Sequence, residues 1–393
     1  MKKVAFFMQK MTSGGVEIAL LHLLNRIKDN NISVDLYLMK KDGLNLSKIP
    51  SYVNIKEIPM KKLERNFLPT GGWKEAVFYN LNKHQFINVM AIIIKKVLYR
   101  KQTFAELCFN PKNVYCIDEA YDLVVNYHIH SPFLLWYCAL MVKANKKVAW
   151  IHNDFSSTGY AIDKLKDCVY SYDDYYCVCY QNKNEFIEIF PDLASKCHIA
   201  HNIFDKDMIF KSGQFFPEEY KDLEGTIILT VARLTHDKGI DLLIEAAEKL
   251  VQNNKNFVWF VVGEGSEKDE LISLIKAKNI DAYVKLIGYK ANPYPYFKNC
   301  DIYVQTSRTE GYVTTVVEAK NFKKPIVCTN VCGSYEQLRN GELGLVCDIN
   351  SNSIYNSVKK LLNNENLRAS LVHNLENNLD VYNYDWLNIF KGE

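Results

Sequence analysis

Long apolar runs are missing from this 393-residue chain. No stretch reaches the roughly 18–20 uncharged apolar residues needed to span a bilayer. Residues 1–7 hold an apolar run of strand length, without the core and cleavage site of a signal peptide. A strong charge of one sign is missing too. The 48 Lys and Arg residues against 45 Asp and Glu leave a net charge of +3, too little to argue for nucleic acid as a partner. Neither end carries a low-complexity tail. Paired cysteine spacing is likewise lacking: the eleven cysteines are odd in number and scattered. Cys177 and Cys179, and Cys328 and Cys332, have no matching second pair at zinc-finger spacing. The expectation is reduced, buried thiols in the cytoplasm, with neither disulfides nor a structural metal.

What is present is an ordinary globular composition, 48% hydrophobic and 24% charged, on a chain long enough for two domains of roughly 150–200 residues. Short apolar runs alternate with stretches of helical period, the pattern of repeated β-α units and parallel sheets. The first half predicts strands near residues 4–8, 34–38, 123–127, 148–152 and 175–179, and a helix over 16–28. The second half predicts strands at 226–231, 257–262, 284–287, 302–305 and 326–329, with helices near 239–251, 267–278, 313–322 and 354–362. Alternation pauses in a polar, Phe-containing connector at 203–219, and a helical tail beyond about 367 ends in an aromatic stretch that needs a surface to cover.

Three segments of the second half carry chemistry. In the first, a strand ends at Val231 and a helix is expected after Asp237 as N-cap. Arg233 and Lys238 then sit at the edge where open α/β sheets bind ligands. Two cations at a helix N-terminus oppose the macrodipole unless a polyanion lies between them. In the second, the strand 257–262 runs into Gly263-Glu264-Gly265, a turn that lets backbone approach a ligand. In the third, the strand 302–305 leads into a loop with Glu310, then Gly311, Tyr312, Val313, Thr314 and Thr315 at a helix N-terminus suited to a phosphate oxygen, then Glu318 inside the helix. Carboxylates such as Glu310 and Glu318 match the vicinal hydroxyls of a ribose or a sugar. A buried Glu318 requires a ligand or a protein donor.

The ordered set Arg233-x4-Lys238-Gly239, Gly263-Glu264-Gly265 and Glu310-x7-Glu318 resembles the retaining glycosyltransferases of family 4, the glycosyl transferases group 1. The likeness covers nearly the whole chain and is densest over 226–347. It implies an α/β chain of GT-B architecture, with two Rossmann-like β/α/β domains facing across a cleft. Residues 1–205 would bind the acceptor, 206–370 the nucleotide sugar, and 371–393 would form a helical tail crossing back to the first domain. By the resemblance, Arg233 and Lys238 hold the donor diphosphate, Glu318 the ribose and Glu310 the transferred sugar. Backbone at Gly288 and Tyr289 receives the base. Thr314 and Thr315 stand where the family more often has apolar residues, and their hydroxyls could touch the diphosphate.

In the first half, a paired-glycine loop with Gly14 and Gly15 opens the helix after the first strand. It lacks Gly-x-Gly-x-x-Gly spacing, which excludes a dinucleotide fingerprint; in similar enzymes this loop lies close to the diphosphate. His152, at a strand's C-terminal end, matches a histidine that contacts the transferred sugar in such enzymes. His128, His130 and Asp154 also admit a metal-ligand reading, disfavoured because Arg233 and Lys238 already supply the charge. Asn202 and Asp205 resemble the family's domain-junction element. The basic, amphipathic segment 86–101 suits either packing with solvated lysines or the anionic inner face of a membrane.

The expected activity is metal-independent, retaining hexosyl transfer from a nucleoside diphosphate sugar, without a cofactor. Uridine is preferred over guanosine on the family's habit. The acceptor would be a glycan or lipid-linked hydroxyl, in cell-surface polysaccharide or glycoconjugate synthesis. Two alternatives remain, an epimerase of the same fold acting on a sugar nucleotide and a non-catalytic scaffold in a polysaccharide assembly.

Overall fold

The computed structural model describes residues 1–12, 14–59, 77, 81, 86–98, 115–153, 162–253, 256–377 and 384–391. The chain divides into two compact units. Unit 1 comprises Met1–Val178, Lys183–His201 and Tyr384–Glu393; unit 2 comprises Cys179–Asn182 and Asn202–Asn383. The main crossing therefore falls at His201/Asn202, and a short piece from the start of helix Tyr180–Ile189 is counted with unit 2.

Unit 1 is built on seven parallel strands, β1 (Lys2–Met8), β2 (Ile32–Leu38), β3 (Val53–Glu57), β4 (Ile117–Asn126), β5 (Val142–Ile151), β6 (Asp174–Cys177) and β7 (Cys197–Ile199). Their order in the sheet is β3-β2-β1-β4-β5-β6-β7. Parallel strands covered on both faces must be apolar nearly throughout. Val4 to Met8 and Val148 to Ile151 are accordingly buried without a break. The C-terminal turn Asp385–Phe390 packs on this unit. Phe390 stacks on Phe6 with ring centroids 5.6 Å apart, Trp386 meets Trp150 edge-on at 5.3 Å, and Lys2 Nζ donates to the Ile389 carbonyl at 2.6 Å.

Unit 2 holds six parallel strands, β8 (Thr226–Val231), β9 (Phe257–Val262), β10 (Val284–Leu286), β11 (Ile302–Gln305), β12 (Ile326–Thr329) and β13 (Leu345–Cys347), ordered β10-β9-β8-β11-β12-β13. Helix Ile240–Asn253 buries Ile240, Leu243, Ile244, Ala247 and Leu250. Together with Trp259, Val261 and Ile302 they form the core of this unit.

In both sheets the chain winds outward in one direction and then returns to start again on the other side. The reversal lies between β1 and β4 in unit 1 and between β8 and β11 in unit 2. Helices leave opposite faces of the sheet at such a switch point, so the loops beyond the carboxyl ends of those two strands splay apart and leave a crevice. The loops after β1, β4, β8 and β11 are therefore where function is expected.

Three strands had no counterpart in the sequence reading: β3, β7 and β13. All three are edge strands of three to five residues. An edge strand packs on one side only and needs few apolar residues. Strands β4 and β5 begin well before the expected 123 and 148, because their first halves are rich in charge, as in Asp118-Glu119 and Lys146-Lys147. Among the described residues no helix is long and apolar enough to cross a membrane, and every described cysteine except Cys116 is buried.

Candidate active site

In unit 2 the switch-point loops are stitched together. The β8 loop forms a 3-10 turn, His236–Lys238, before helix Ile240–Asn253 begins. Asp237 is therefore not the N-cap of that helix, and Lys238 precedes its first turn. Gly239 separates the two helical pieces in the left-handed region at φ +63°, where a Cβ would stand 2.2 Å from the Thr306 carbonyl oxygen. Only glycine allows the β8 loop to lie this close to the β11 loop. Thr306 Oγ1 donates to the Lys238 carbonyl at 3.0 Å, and the Arg308 amide to the Asp237 carbonyl at 2.8 Å. Arg308 also forks onto Asp241, Nη1 to Oδ1 at 2.7 Å and Nη2 to Oδ2 at 2.5 Å, bidentate geometry that fixes the loop to the helix.

This stitching brings Lys238 to Glu310. Lys238 Nζ lies 2.8 Å from Glu310 Oε1 and 3.1 Å from Asp237 Oδ2. Burial raises the Asp237 carboxyl, but the Thr235 side chain and the Lys238 and Arg233 cations outweigh it and hold the group below the usual carboxylate range. Arg233 is 63% exposed and reaches Asp237 only at 3.6 Å, so its guanidinium is the loosely held cation of the pair.

Helix Thr314–Asn321 follows, with Val313 as a cap that has no side-chain hydrogen bond. Its first intrahelical bond runs from the Val317 amide to the Val313 carbonyl, so the amides of residues 314–316 lie ahead of the ladder. The Val313 amide, expected to face a phosphate, instead donates to Gln337 Oε1 at 3.3 Å, while Gln337 Nε2 returns a bond to the Val313 carbonyl. Tyr312 is buried, and the Gly311 carbonyl lies 3.7 Å from Cys179 Sγ. The Thr315 hydroxyl donates to Gln305 Oε1 at 3.1 Å.

Glu318 is buried in this helix, and Tyr294 supplies the protein donor that its burial demands. Removal from water pushes its carboxyl up to about 8, with the Tyr294 hydroxyl pulling the other way. The Gly263-x-Gly265 turn has a structural reason of its own. A Cβ at Gly263 would lie 1.8 Å from the Ala232 carbonyl oxygen, and the Gly263 amide donates to the Gly288 carbonyl at 2.9 Å. Gly263 and Gly288 are thus brought together, and Tyr289 beside them is exposed.

Unit 1 places the remaining candidates at its own switch point. Gly14 caps helix Gly15–Ile27 without a side-chain bond, but the helix carries Glu17 in its first turn. Glu17 Oε2 would lie 2.4 Å from a Cβ on Gly14, and the Thr12 hydroxyl donates to Oε1. The start of this helix therefore carries its own carboxylate, at the third helical position. After β4 and β5 come His128, His130 and His152. His152 is buried, meets the Tyr127 ring edge-on at 4.6 Å, and has Nε2 without a hydrogen-bond partner among the described residues. Burial, reinforced by His128 and His130, holds it well below the usual imidazole range. His128 is lowered by burial too, with Glu17 opposing. No cluster of three or more His, Cys, Asp or Glu among the described residues is arranged to hold a metal; Asp154 lies outside the described residues.

Gln305, Ser307, Arg308, Asp241, Tyr294 and Gln337 were not singled out from the sequence. The legible signal was Gln305, a polar residue closing the apolar strand Ile302-Tyr303-Val304. The others are ordinary polar residues until the fold gives them partners.

Residues 212–378 match the model of the glycosyl transferases group 1. A curated relative from Campylobacter jejuni, N-acetylgalactosamine-N,N'-diacetylbacillosaminyl-diphospho-undecaprenol 4-alpha-N-acetylgalactosaminyltransferase, is 33% identical over 48% of this chain and 50% of its own length. The poly(ribitol-phosphate) alpha-N-acetylglucosaminyltransferase of Staphylococcus aureus is 29% identical over 49% of this chain and 41% of its own. The chain thus spans about half the length of the curated relatives it matches. The crystal structure of Anabaena HepE in complex with UDP superposes with a TM-score of 0.69 over 99% of this chain and 97% of that one, at 17% identity. Residues 212–378, which hold Arg233, Lys238, Glu310 and Glu318, thus resemble the glycosyl transferases group 1, on a chain with the GT-B fold.

Proposed function

We propose that this protein transfers a hexose-type sugar from a nucleoside diphosphate sugar to a hydroxyl of a glycan or lipid-linked acceptor, retaining the anomeric configuration, in the synthesis of a cell-surface polysaccharide or glycoconjugate. The observation that carries the reading is the meeting of Lys238 and Glu310 at the switch point of unit 2, inside the matched domain. A cation beside a carboxylate at this edge suits a ligand with a diphosphate at one end and sugar hydroxyls at the other.

In the proposed reaction, the bond between the anomeric carbon and the diphosphate oxygen breaks heterolytically, and its electron pair leaves on the diphosphate. Arg233, Lys238 and the amides of residues 314–316 stabilise that charge; one such preorganised donor contributes roughly 3–4 kcal/mol. The acceptor oxygen bonds to the same face of the anomeric carbon, and its proton passes to the departing phosphate oxygen. Glu310 holds sugar hydroxyls, Glu318 takes the ribose diol, and Gly288 and Tyr289 receive the base. His152 contacts the sugar. Gly14 and Gly15 are the donor-binding candidates of unit 1. With two protein cations at the diphosphate, the reaction needs no metal.

Support for a uridine nucleotide comes from HepE, solved with UDP, and support for an α-linked product from the two curated relatives, whose names specify alpha transfer of an N-acetylhexosamine. A lipid-linked acceptor is favoured by the undecaprenol in the Campylobacter name. Peripheral membrane contact at the cytoplasmic face is favoured by helix Phe86–Leu98, which exposes Phe86, Ile87, Met90, Ile93 and Ile94; Arg100 and Lys101 lie outside the described residues. The test is thermal stabilisation across a panel of nucleotide sugars, followed by NMR of the product's anomeric proton. Absence of any stabilising nucleotide sugar, or an inverted product, refutes the reading.

A further inference from the structure

Beneath Glu310 runs a chain of polar side chains whose hydrogen bonds have a forced direction. At its centre is Gln305, the last residue of β11, only 2% exposed. Its Oε1 accepts from Tyr303 Oη at 2.6 Å and from Thr315 Oγ1 at 3.1 Å. Its Nε2 donates to Ser307 Oγ at 2.6 Å, with a longer contact of 3.5 Å to Glu310 Oε1. The reversed amide would put its oxygen against a carboxylate oxygen, so chemistry selects this orientation. Because Ser307 Oγ already accepts from Gln305, its own proton goes to Glu310 Oε1, at 2.7 Å. Lys238 Nζ reaches the same oxygen at 2.8 Å.

Three donors therefore converge on Oε1, while Oε2 has no protein partner among the described residues. A buried amide at the end of a central strand is costly unless every polar atom is bonded. Here all are bonded, and the result is a carboxylate held at one end.

We propose that Gln305 is the positioning residue of this site, locking one oxygen of Glu310 to the protein so that the other is available to a hydroxyl of the transferred sugar. This rests on the reading of Glu310 as sugar-facing given above. Thr315, whose hydroxyl completes the Gln305 acceptor pair, is then a support for Glu310 rather than a phosphate ligand.

The test compares wild type with Gln305→Met (similar in length and shape), Thr315→Val, Glu310→Gln and the double variant Gln305→Met/Glu310→Gln. Binding of UDP is measured by calorimetry. Release of UDP is followed with UDP-glucose, UDP-galactose and their N-acetylamino derivatives, water serving as acceptor. Gln305→Met should lower kcat about 30-fold and Thr315→Val about 5-fold, with KM for the donor and Kd for UDP within about 2-fold to 3-fold of wild type. The double variant should be no slower than Glu310→Gln alone, since residues that act through one another are not additive. Wild-type kcat in both Gln305→Met and Thr315→Val, multiplicative losses in the double variant, or UDP affinity falling in step with kcat would each overturn the inference while leaving the proposed function standing. Wild-type protein that neither binds nor turns over any of these donors, nor any other nucleotide sugar of the stabilisation panel, would overturn both.

Discussion

The two switch-point regions are built on the same sheet pattern and are finished in opposite ways. In unit 2 the loops after β8 and β11 are tied together: Lys238, Glu310 Oε1, Ser307, Gln305 and Thr315 all have partners, and Arg308 clamps the loop onto Asp241. In unit 1 the loop after β4 and that after its neighbour β5 present imidazoles whose His128 Nδ1 and His152 Nε2 have no partner among the described residues. An ionic site held by protein partners is organised before its ligand arrives and costs little to rearrange during the reaction. An unpartnered buried nitrogen is an unmet demand that a ligand or water can meet. The contrast is between prebuilt charges in unit 2 and neutral groups with open hydrogen-bonding capacity in unit 1.

The largest effect expected from breaking this comparison is at Lys238. Lys238→Ala should lower transfer about 1,000-fold, as for a lost transition-state donor, while circular dichroism and melting cooperativity stay those of wild type. A variant within ten-fold of wild type would remove the ionic half of the contrast. His152 comes next. His152→Phe leaves an aromatic ring against Tyr127, larger than imidazole and without nitrogens, and kcat should fall about 100-fold. Full activity would reduce His152 to a core residue.

A third prediction concerns pH, where the two regions differ in sign. Burial raises the Glu318 carboxyl from 4.5 to about 8, so the folded state binds the extra proton between those values. That contribution to stability is complete below about 4.5 and lost as pH rises through about 8. His152 is lowered from 6.5, so its contribution is present above 6.5 and lost as pH falls through its lower folded value. Glu318→Gln should therefore melt close to wild type near pH 5 and above it near pH 9, by a margin on the order of 3–5 kcal/mol. His152→Phe should gain most at acid pH. Melting curves at pH 5, 7 and 9 decide both. The smallest expected effect is that of chelation: activity in EDTA should stay within 2-fold of the untreated protein, and a loss restored by a divalent cation would show that Arg233 and Lys238 do not suffice.

Legibility in the sequence was uneven for physical reasons. Central strands such as β8, β9, β11 and β12 were readable to the residue, because burial on both faces demands unbroken apolar runs. Strands β3, β7 and β13 were not: β3 mixes polar and charged residues with apolar ones, and β7 and β13 are only three residues long. Lys238, Glu310 and Glu318 could be picked out as charges next to buried strands. Their partners could not, since Gln305 and Ser307 acquire meaning only when β11 and its loop place them under Glu310.

Apolar periodicity alone settled that the chain is two α/β units with parallel sheets, since alternating hydrophobic runs and helical stretches leave few other ways to bury them. The three-dimensional fold decided what the charges do. It turned Asp237 from an expected helix cap into a counter-ion, gave the Val313 amide to Gln337, and tied Glu17 to the Thr12 hydroxyl. Hydrogen bonds act over about 3 Å and between residues as far apart as 238 and 310, so their pairing is invisible along the chain and appears only once the loops meet.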